Sequence, residues 1–276
     1  MERKTPYIDE TKVNNMNIDA QSSALQAQAG GSIDKAGSST EFTDTVVFKS
    51  PTLKVDRQQL EKERILLPGA TGAIGNPYKM LRTQVLRRME QLGTNVLAVM
   101  SPNEGSGKTL TSINLAIAIA AETGRTALLV DLDLRNPSIH RRFGFEPKLG
   151  VEDCVRARRP VQEAMVKISG YDRLTILPAK AAVESSSELL TDQMLGELVS
   201  ELRTRYANRI IIFDLPPVLQ VDDALAFSRH VQTGLLVVGE GKTLREEVLR
   251  TINVLHDMKI LGTVLNGARG KVASYY

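Results

Sequence analysis

The stretch SPNEGSGKTLTSINLA, residues 101–116, decides how the rest of the chain is read. It follows an apolar run, NVLAVM (95–100), and passes through Gly105, Gly107, Lys108 and Thr109 into a long apolar segment. A strand that delivers a glycine-rich turn of inward-facing N–H groups, followed at once by the positive end of a helix, is what a bound phosphate needs. Gly105, Ser106, Gly107, Lys108, Thr109 and Leu110 are therefore the expected nucleotide-binding residues. Lys108 is placed to reach the β- and γ-phosphates and the Thr109 hydroxyl to ligate Mg2+. Pro102 stands where the full G-x-x-x-x-G-K-[ST] pattern has its first glycine, but the turn next to the phosphates keeps both of its own.

Outward from this loop, short apolar runs alternate with longer amphipathic segments, the pattern of strand-helix units around a parallel sheet. The expected strands are 95–100, 126–132, 173–178, 209–214, 233–239 and 261–266, and the expected helices 108–122, 187–205, 222–230 and 243–257. The fold class is α/β: a P-loop NTPase fold, a mainly parallel sheet with helices on both faces. Residues 14–45, rich in Gln, Ser, Ala and Gly, lack the large apolar groups that offset ordering entropy. Residues 1–54 are therefore expected to form a disordered tail. Residues 55–75 are read as a short capped helix with Leu60, Ile65 and Leu66 on its buried side, then a flexible connector, PGATGAIGNP. Residues 76–268 form the main domain and 269–276 a tail ending in Tyr275 and Tyr276.

Two other strand ends bring carboxylates toward the loop. In IIIFDLPP, Asp214 follows an apolar run and stands at the C-terminal edge of a buried strand, where ligands of open parallel sheets bind. It either holds Mg2+, directly or through water, or caps the next helix. In LLVDLDLRNP, Asp131 and Asp133 alternate with leucines, so an extended chain puts both on one face about 7 Å apart. That spacing suits one carboxylate near a metal and another near an incoming hydroxyl. Asn266, at the end of VLN, either reads an adenine edge or starts an Asn-Gly turn with Gly267. Arg135 either counters phosphate charge or is solvated, His140 is expected on a solvated helix face, and the runs HRRF and RARRP on solvated faces.

Composition excludes several classes. A net charge of +3 over 35 basic and 32 acidic residues is too slight for a nucleic-acid partner. The single cysteine, Cys154, rules out an intrachain disulfide framework and is read as a small core residue in a reducing compartment. No secretory signal is expected at the N-terminus, and no apolar run approaches the roughly 18 residues of a membrane-spanning helix, so any membrane role comes through a partner.

Together SPNEGSGKT, LLVDLDLRNPSIH, LPAKAAVESSSELL, RIIIFDLPPVLQVDDAL and LLVVGEGKTLREEV resemble the bacterial tyrosine kinases of capsule and exopolysaccharide synthesis, from about Asn76 to Ala268. The resemblance implies an ATP- and Mg2+-dependent autokinase, cytoplasmic and recruited to the inner face of the plasma membrane by a separate chain-length regulator. It implies that Lys108 and Thr109 bind phosphate and metal, that Asp133 and Asp214 hold the metal, and that Asp131 takes the proton of a tyrosine hydroxyl. Tyr275 and Tyr276 become the phosphoacceptors; Tyr276, ten residues past Asn266, reaches at most about 35 Å. A homo-oligomer is implied too, although the family's Glu-x-x-Arg-x-x-Arg helix start is replaced by Asn76, Lys79 and Arg82. The competing expectations are a partition-type ATPase switch, whose loop carries a further lysine where Asn103 stands, and a nucleotide-gated regulatory module without chemistry.

Overall fold

The computed structural model describes residues 50–205 and 208–268; the expected tail over 14–45 and both terminal tyrosines lie outside them. Eight strands form one sheet: β1 (Thr52–Leu53), β2 (Val96–Met100), β3 (Thr126–Asp131), β4 (Val166–Ile168), β5 (Leu174–Leu177), β6 (Arg209–Asp214), β7 (Thr233–Gly239) and β8 (Lys259–Asn266). Their order is β1-β4-β5-β3-β6-β2-β7-β8, with every neighbouring pair parallel except the antiparallel β4 and β5. The helices are α1 (Arg57–Lys62), α2 (Gly72–Gln91), α3 (Lys108–Ala120), α4 (Ile139–Phe143), α5 (Val151–Arg156), α6 (Val161–Ala164), α7 (Ser186–Thr191), α8 (Gln193–Arg205), α9 (Asp223–Ser228) and α10 (Arg245–Val254).

Successive side chains in the central strands alternate between two separate cores. Leu97, Val99, Leu129 and Ile212 pack with Ile113, Ile117 and Leu86 on the face covered by α2 and α3. Ala98, Met100, Val130 and Phe213 pack with Leu202, Phe227 and Leu255 on the opposite face. Burial on both faces explains why β2 and β6 read as continuous apolar runs rather than as alternating ones.

All six expected strands are present, and the departures have local causes. Strand β1 lies in residues assigned to the tail; it pairs Thr52 with Lys167 and Leu53 with Ile168, strands too short to leave a pattern. The helix expected over 187–205 is broken at Asp192, whose backbone is extended and whose carboxylate accepts from Met194 N at 2.7 Å, starting α8 afresh. Helix α2 begins inside the expected connector, at Gly72. Gly75 permits this, since a Cβ there would lie 2.5 Å from the Ala70 carbonyl oxygen.

Helix α1 forms as expected, with the Asp56 carboxylate accepting from Gln58 N, but it stops at Lys62. Arg64 adopts φ 58, so Ile65 and Leu66 reach the core from an irregular segment. That segment is held by Asn114 of α3, whose side chain accepts from Leu66 N at 2.9 Å and donates to Arg64 O at 3.0 Å. The N-terminal segment is thus fastened to the helix that follows the glycine loop.

Candidate active site

The loop after β2 is closed by its own hydroxyls: Ser101 and Ser106 both donate to the Asn103 carbonyl, at 2.8 and 3.0 Å. Its first half is zipped to the chain after β6, since Val218 N donates to Ser101 O and Leu219 N to Pro102 O. Proline fits at this position because its carbonyl makes the contact. Gly105 and Gly107 have φ 72 and 85, the left-handed region where a side chain is strained. Gly107 has a second constraint: a Cβ there would lie 1.8 Å from Asn266 Nδ2.

Helix α3 starts directly from Gly107, and its first turn carries an unusual run of buried polar groups, Lys108, Thr109, Thr111 and Ser112. Thr111 donates back to the Gly107 carbonyl at 2.9 Å, and the other three are satisfied by the ends of β6 and β3. Lys108 Nζ lies 3.1 Å from Asp214 Oδ2, 3.3 Å from Asp133 Oδ2 and 3.2 Å from Thr109 Oγ1. Thr109 Oγ1 donates to Asp214 Oδ2 at 2.6 Å, and Ser112 Oγ to Asp214 Oδ1 at 2.8 Å. Ser112 carries no motif of its own in the sequence, although its place three residues after Thr109 puts both hydroxyls on one helix face. Leu110 follows in the same turn and packs against the α3-side core. Burial works against the Lys108 ammonium, but Asp214, Asp133 and Asp131 outweigh it and raise its pKa.

Asp131 and Asp133 do not share one extended face as expected. The strand ends at Asp131, and Asp133 N turns back to donate to Asp131 Oδ1 at 3.2 Å. Asp131 Oδ2 accepts from Ser138 N and Ile139 N at 3.1 and 3.0 Å. Asp131 also stands directly opposite Asp214 in the parallel register. Complete burial and the Asp214 charge push its pKa up to about 7, against the Ile139 amide and the Lys108 cation, which favour the ionised form. Asp133 is raised as well, by burial in the first place, with Lys108 opposing. Of the two, Asp133 faces the cavity over the loop, a space of about 410 Å³.

The other flank of the loop is held mainly by uncharged side chains. Asn266 Nδ2 donates to the Ser106 carbonyl at 2.9 Å, so its side chain braces the loop while Gly267, φ 77, makes the turn. Thr243 Oγ1 accepts from Gly239 N at 3.0 Å and lies 3.5 Å from Ser106 Oγ. Lys242 Nζ donates to Gly105 O at 3.3 Å.

Of the two readings of Arg135, the solvated one holds: it is exposed, and its guanidinium pairs with the buried Asp223 at 3.0 Å rather than reaching the loop. Two expectations are corrected here. His140 is buried, with its Nδ1 lacking a partner and its pKa lowered by desolvation. The HRRF run is not merely a solvated face, because Arg141 and Arg142 line the cavity with Lys108. Cys154 is buried as expected, and burial pushes its thiol up to about 12.

The donor set around Asp214 fits Mg2+: a hydroxyl and carboxylates, all hard oxygen ligands. Among the described residues no cluster of three His, Cys, Asp or Glu side chains could hold a metal by itself. No helix among the described residues is long and apolar enough to cross a membrane.

A family pattern described as ParA, NUBPL iron-transfer P-loop NTPase, matches residues 93–271. The tyrosine-protein kinase YwqD of Bacillus subtilis is 29% identical over 201 residues, covering 72% of this chain and 83% of that protein. The tyrosine-protein kinase wzc of Salmonella typhi is 28% identical over 212 residues, 74% of this chain but only 29% of that protein's length. Among solved structures, the VpsO kinase domain is 30% identical with a TM-score of 0.61, covering 68% of this chain and 92% of that one. With so much of its length inside the pattern, the chain belongs to the ParA family of P-loop NTPases, and its named relatives there are bacterial tyrosine kinases.

Proposed function

We propose that the chain is an ATP-dependent protein-tyrosine autokinase that acts on exopolysaccharide or capsule synthesis beside a membrane chain-length regulator. The observation that carries this reading is the meeting of Lys108 and Thr109 with Asp133 and Asp214 at the mouth of a glycine loop, with the Asp131 carboxyl opposite Asp214 in the adjacent strand. In that arrangement the loop amides and Lys108 hold the phosphates of ATP, and Thr109, Asp133 and Asp214 hold Mg2+. The metal, when bound, neutralises charge on the phosphate oxygens.

A tyrosine oxygen then bonds to the γ-phosphorus as the bond to the bridging oxygen breaks, and ADP leaves. The hydroxyl proton passes to Asp131, whose Oδ1 accepts only one amide and retains a lone pair. Because Asp131 is fully buried, this transfer requires the segment 132–139, in which the amides of Asp133, Ser138 and Ile139 hold it, to yield. Tyr275 and Tyr276 are the acceptors proposed, homo-oligomers bring one chain's tail to another's site, and the regulator recruits the chain to the cytoplasmic face of the membrane.

The family description supplies the second reading, a ParA-type nucleotide switch without a protein substrate. Iron transfer does not carry over: thiolate-bound iron clusters take several cysteines, and this chain has one, buried. One assay separates the readings. The purified chain is incubated with Mg-ATP, with and without the cytoplasmic segment of a chain-length regulator, while phosphotyrosine is mapped by mass spectrometry and phosphate release is followed. Label on Tyr275 or Tyr276 that disappears in Lys108→Met supports the kinase. Phosphate release without label supports the switch, and neither signal refutes both.

A further inference from the structure

The cavity over the loop has two walls of different character. One is the loop side, where Lys108 stands 3.3 Å from Asp133 and 3.1 Å from Asp214 and serves the nucleotide in the reading above. The other is α4, which brings Arg141 and Arg142 to the same space. Phosphoryl transfer as described above uses neither arginine. Arg141 donates to the Asn136 amide oxygen at 2.6 Å, and among the described residues no carboxylate pairs with it. Arg142 is held by Glu63 at 3.0 Å, while its Nε is buried without an acceptor. Behind them, the Gln59 side chain of α1 donates to the carbonyls of both arginines at 3.4 Å, which fixes the α4 backbone in place.

We propose that Arg141, with Arg142 beside it, recognises a phosphotyrosine already formed next to the acceptor tyrosine. The inference rests on the kinase reading and names the class of peptide that reading would take. An acceptor entering the cavity passes between the loop and α4, and its nearest neighbours, about 3.5 Å away per residue, fall against the arginines. A guanidinium without a carboxylate partner is a planar fork suited to carboxylate or phosphate, and phosphotyrosine presents a charge near −2 with several acceptor oxygens. Adjacent tyrosines such as Tyr275 and Tyr276 would then be modified in order, the first transfer improving the second.

The test uses the full chain, Mg-ATP and two amidated peptides of sequence KVASYY, one plain and one phosphorylated on its last tyrosine. Transfer to the first tyrosine is read by mass spectrometry as kcat/KM, and peptide binding by fluorescence anisotropy in Mg-ADP. The wild-type chain is expected to prefer the phosphorylated peptide about tenfold in both readouts. Arg141→Gln is expected to bring both ratios near one, and Arg141→Lys to restore part of the preference. A wild-type ratio near one, with transfer to both peptides, overturns the inference and leaves the kinase reading standing. A ratio that survives Arg141→Gln while all rates fall also overturns it, and moves Arg141 to the transferred phosphoryl group. Selective binding with no transfer to either peptide supports anion recognition and refutes the kinase reading instead.

Discussion

The two flanks of the glycine loop do different work with different chemistry. On the β6 and β3 side, Asp214, Asp133 and Asp131 crowd around Lys108, and the cluster is held together by charge. On the β7 and β8 side, Asn266 and Thr243 hold the same loop by neutral hydrogen bonds to Ser106 and Gly239. The acidic flank can change protonation state near neutral pH through Asp131; Asn266 and Thr243 have no proton to exchange there. The loop therefore has one side that sets its shape at every pH and one side that answers to cations and protons.

The largest effects are expected where the acidic flank loses its centre. Lys108→Met should lower phosphotransfer by about 10³-fold, since it removes a donor at the developing charge. It should also destabilise the fold by about 3–5 kcal/mol at pH 8, because Asp214 and Asp133 lose their buried counter-ion. Chemical denaturation should show a smaller loss near pH 6, where carboxyls of raised pKa take up protons instead. An equal loss at both pH values would mean the flank is not held by charge.

Asp131→Asn comes next, with a fall of about 10²–10⁴-fold in kcat/KM if the carboxylate is the proton acceptor. The wild-type pH profile should rise with pH through an apparent pKa near 7, the carboxylate being the active form, and the variant should lose that limb. Stability carries the opposite sign. A carboxyl raised above its ordinary value binds its proton more tightly in the folded chain, so the fold gains stability as pH falls from about 7 toward 4. Asp131→Asn should remove that gain in urea titrations at pH 5 and pH 8.

The β7 and β8 side should respond more mildly and without pH dependence. Gly107→Ala meets both a left-handed backbone and the Asn266 side chain, and should weaken nucleotide binding by more than about tenfold. Asn266→Ala alone forfeits one hydrogen bond, about 1 kcal/mol. In the double variant the clash disappears and the backbone strain stays, so calorimetry should find partial rescue; strict additivity would deny that the two residues touch. Thr243→Val also forfeits one hydrogen bond and should cost a similar amount, about 0.5–1.5 kcal/mol, in thermal unfolding.

The acidic flank was the more legible half. Asp214 and the pair at 131 and 133 follow apolar runs, and a parallel sheet must bring its strand ends to one edge, so their meeting with Lys108 follows from topology. Which aspartate faces the cavity was not legible, because the turn at Asp133 comes from backbone donors that leave no trace in side-chain type. Thr243, Lys242 and the arginines of α4 were hidden for a related reason. Such residues are common on solvated surfaces, and only the packing of the β7–α10 turn and of α4 against the loop gives them a place. The short strands β1 and β4 and the early start of α2 depend on tertiary contact rather than on local preference.

The most direct measurement is a calorimetric titration of the full chain with a non-hydrolysable ATP analogue, with and without Mg2+, in wild type and Asp214→Asn. The expected result is binding that strengthens at least tenfold with Mg2+ in the wild type and loses that dependence in the variant. Absence of nucleotide binding, or an affinity indifferent to Mg2+ and to Asp214, would contradict a magnesium-nucleotide site built from Lys108, Thr109, Asp133 and Asp214.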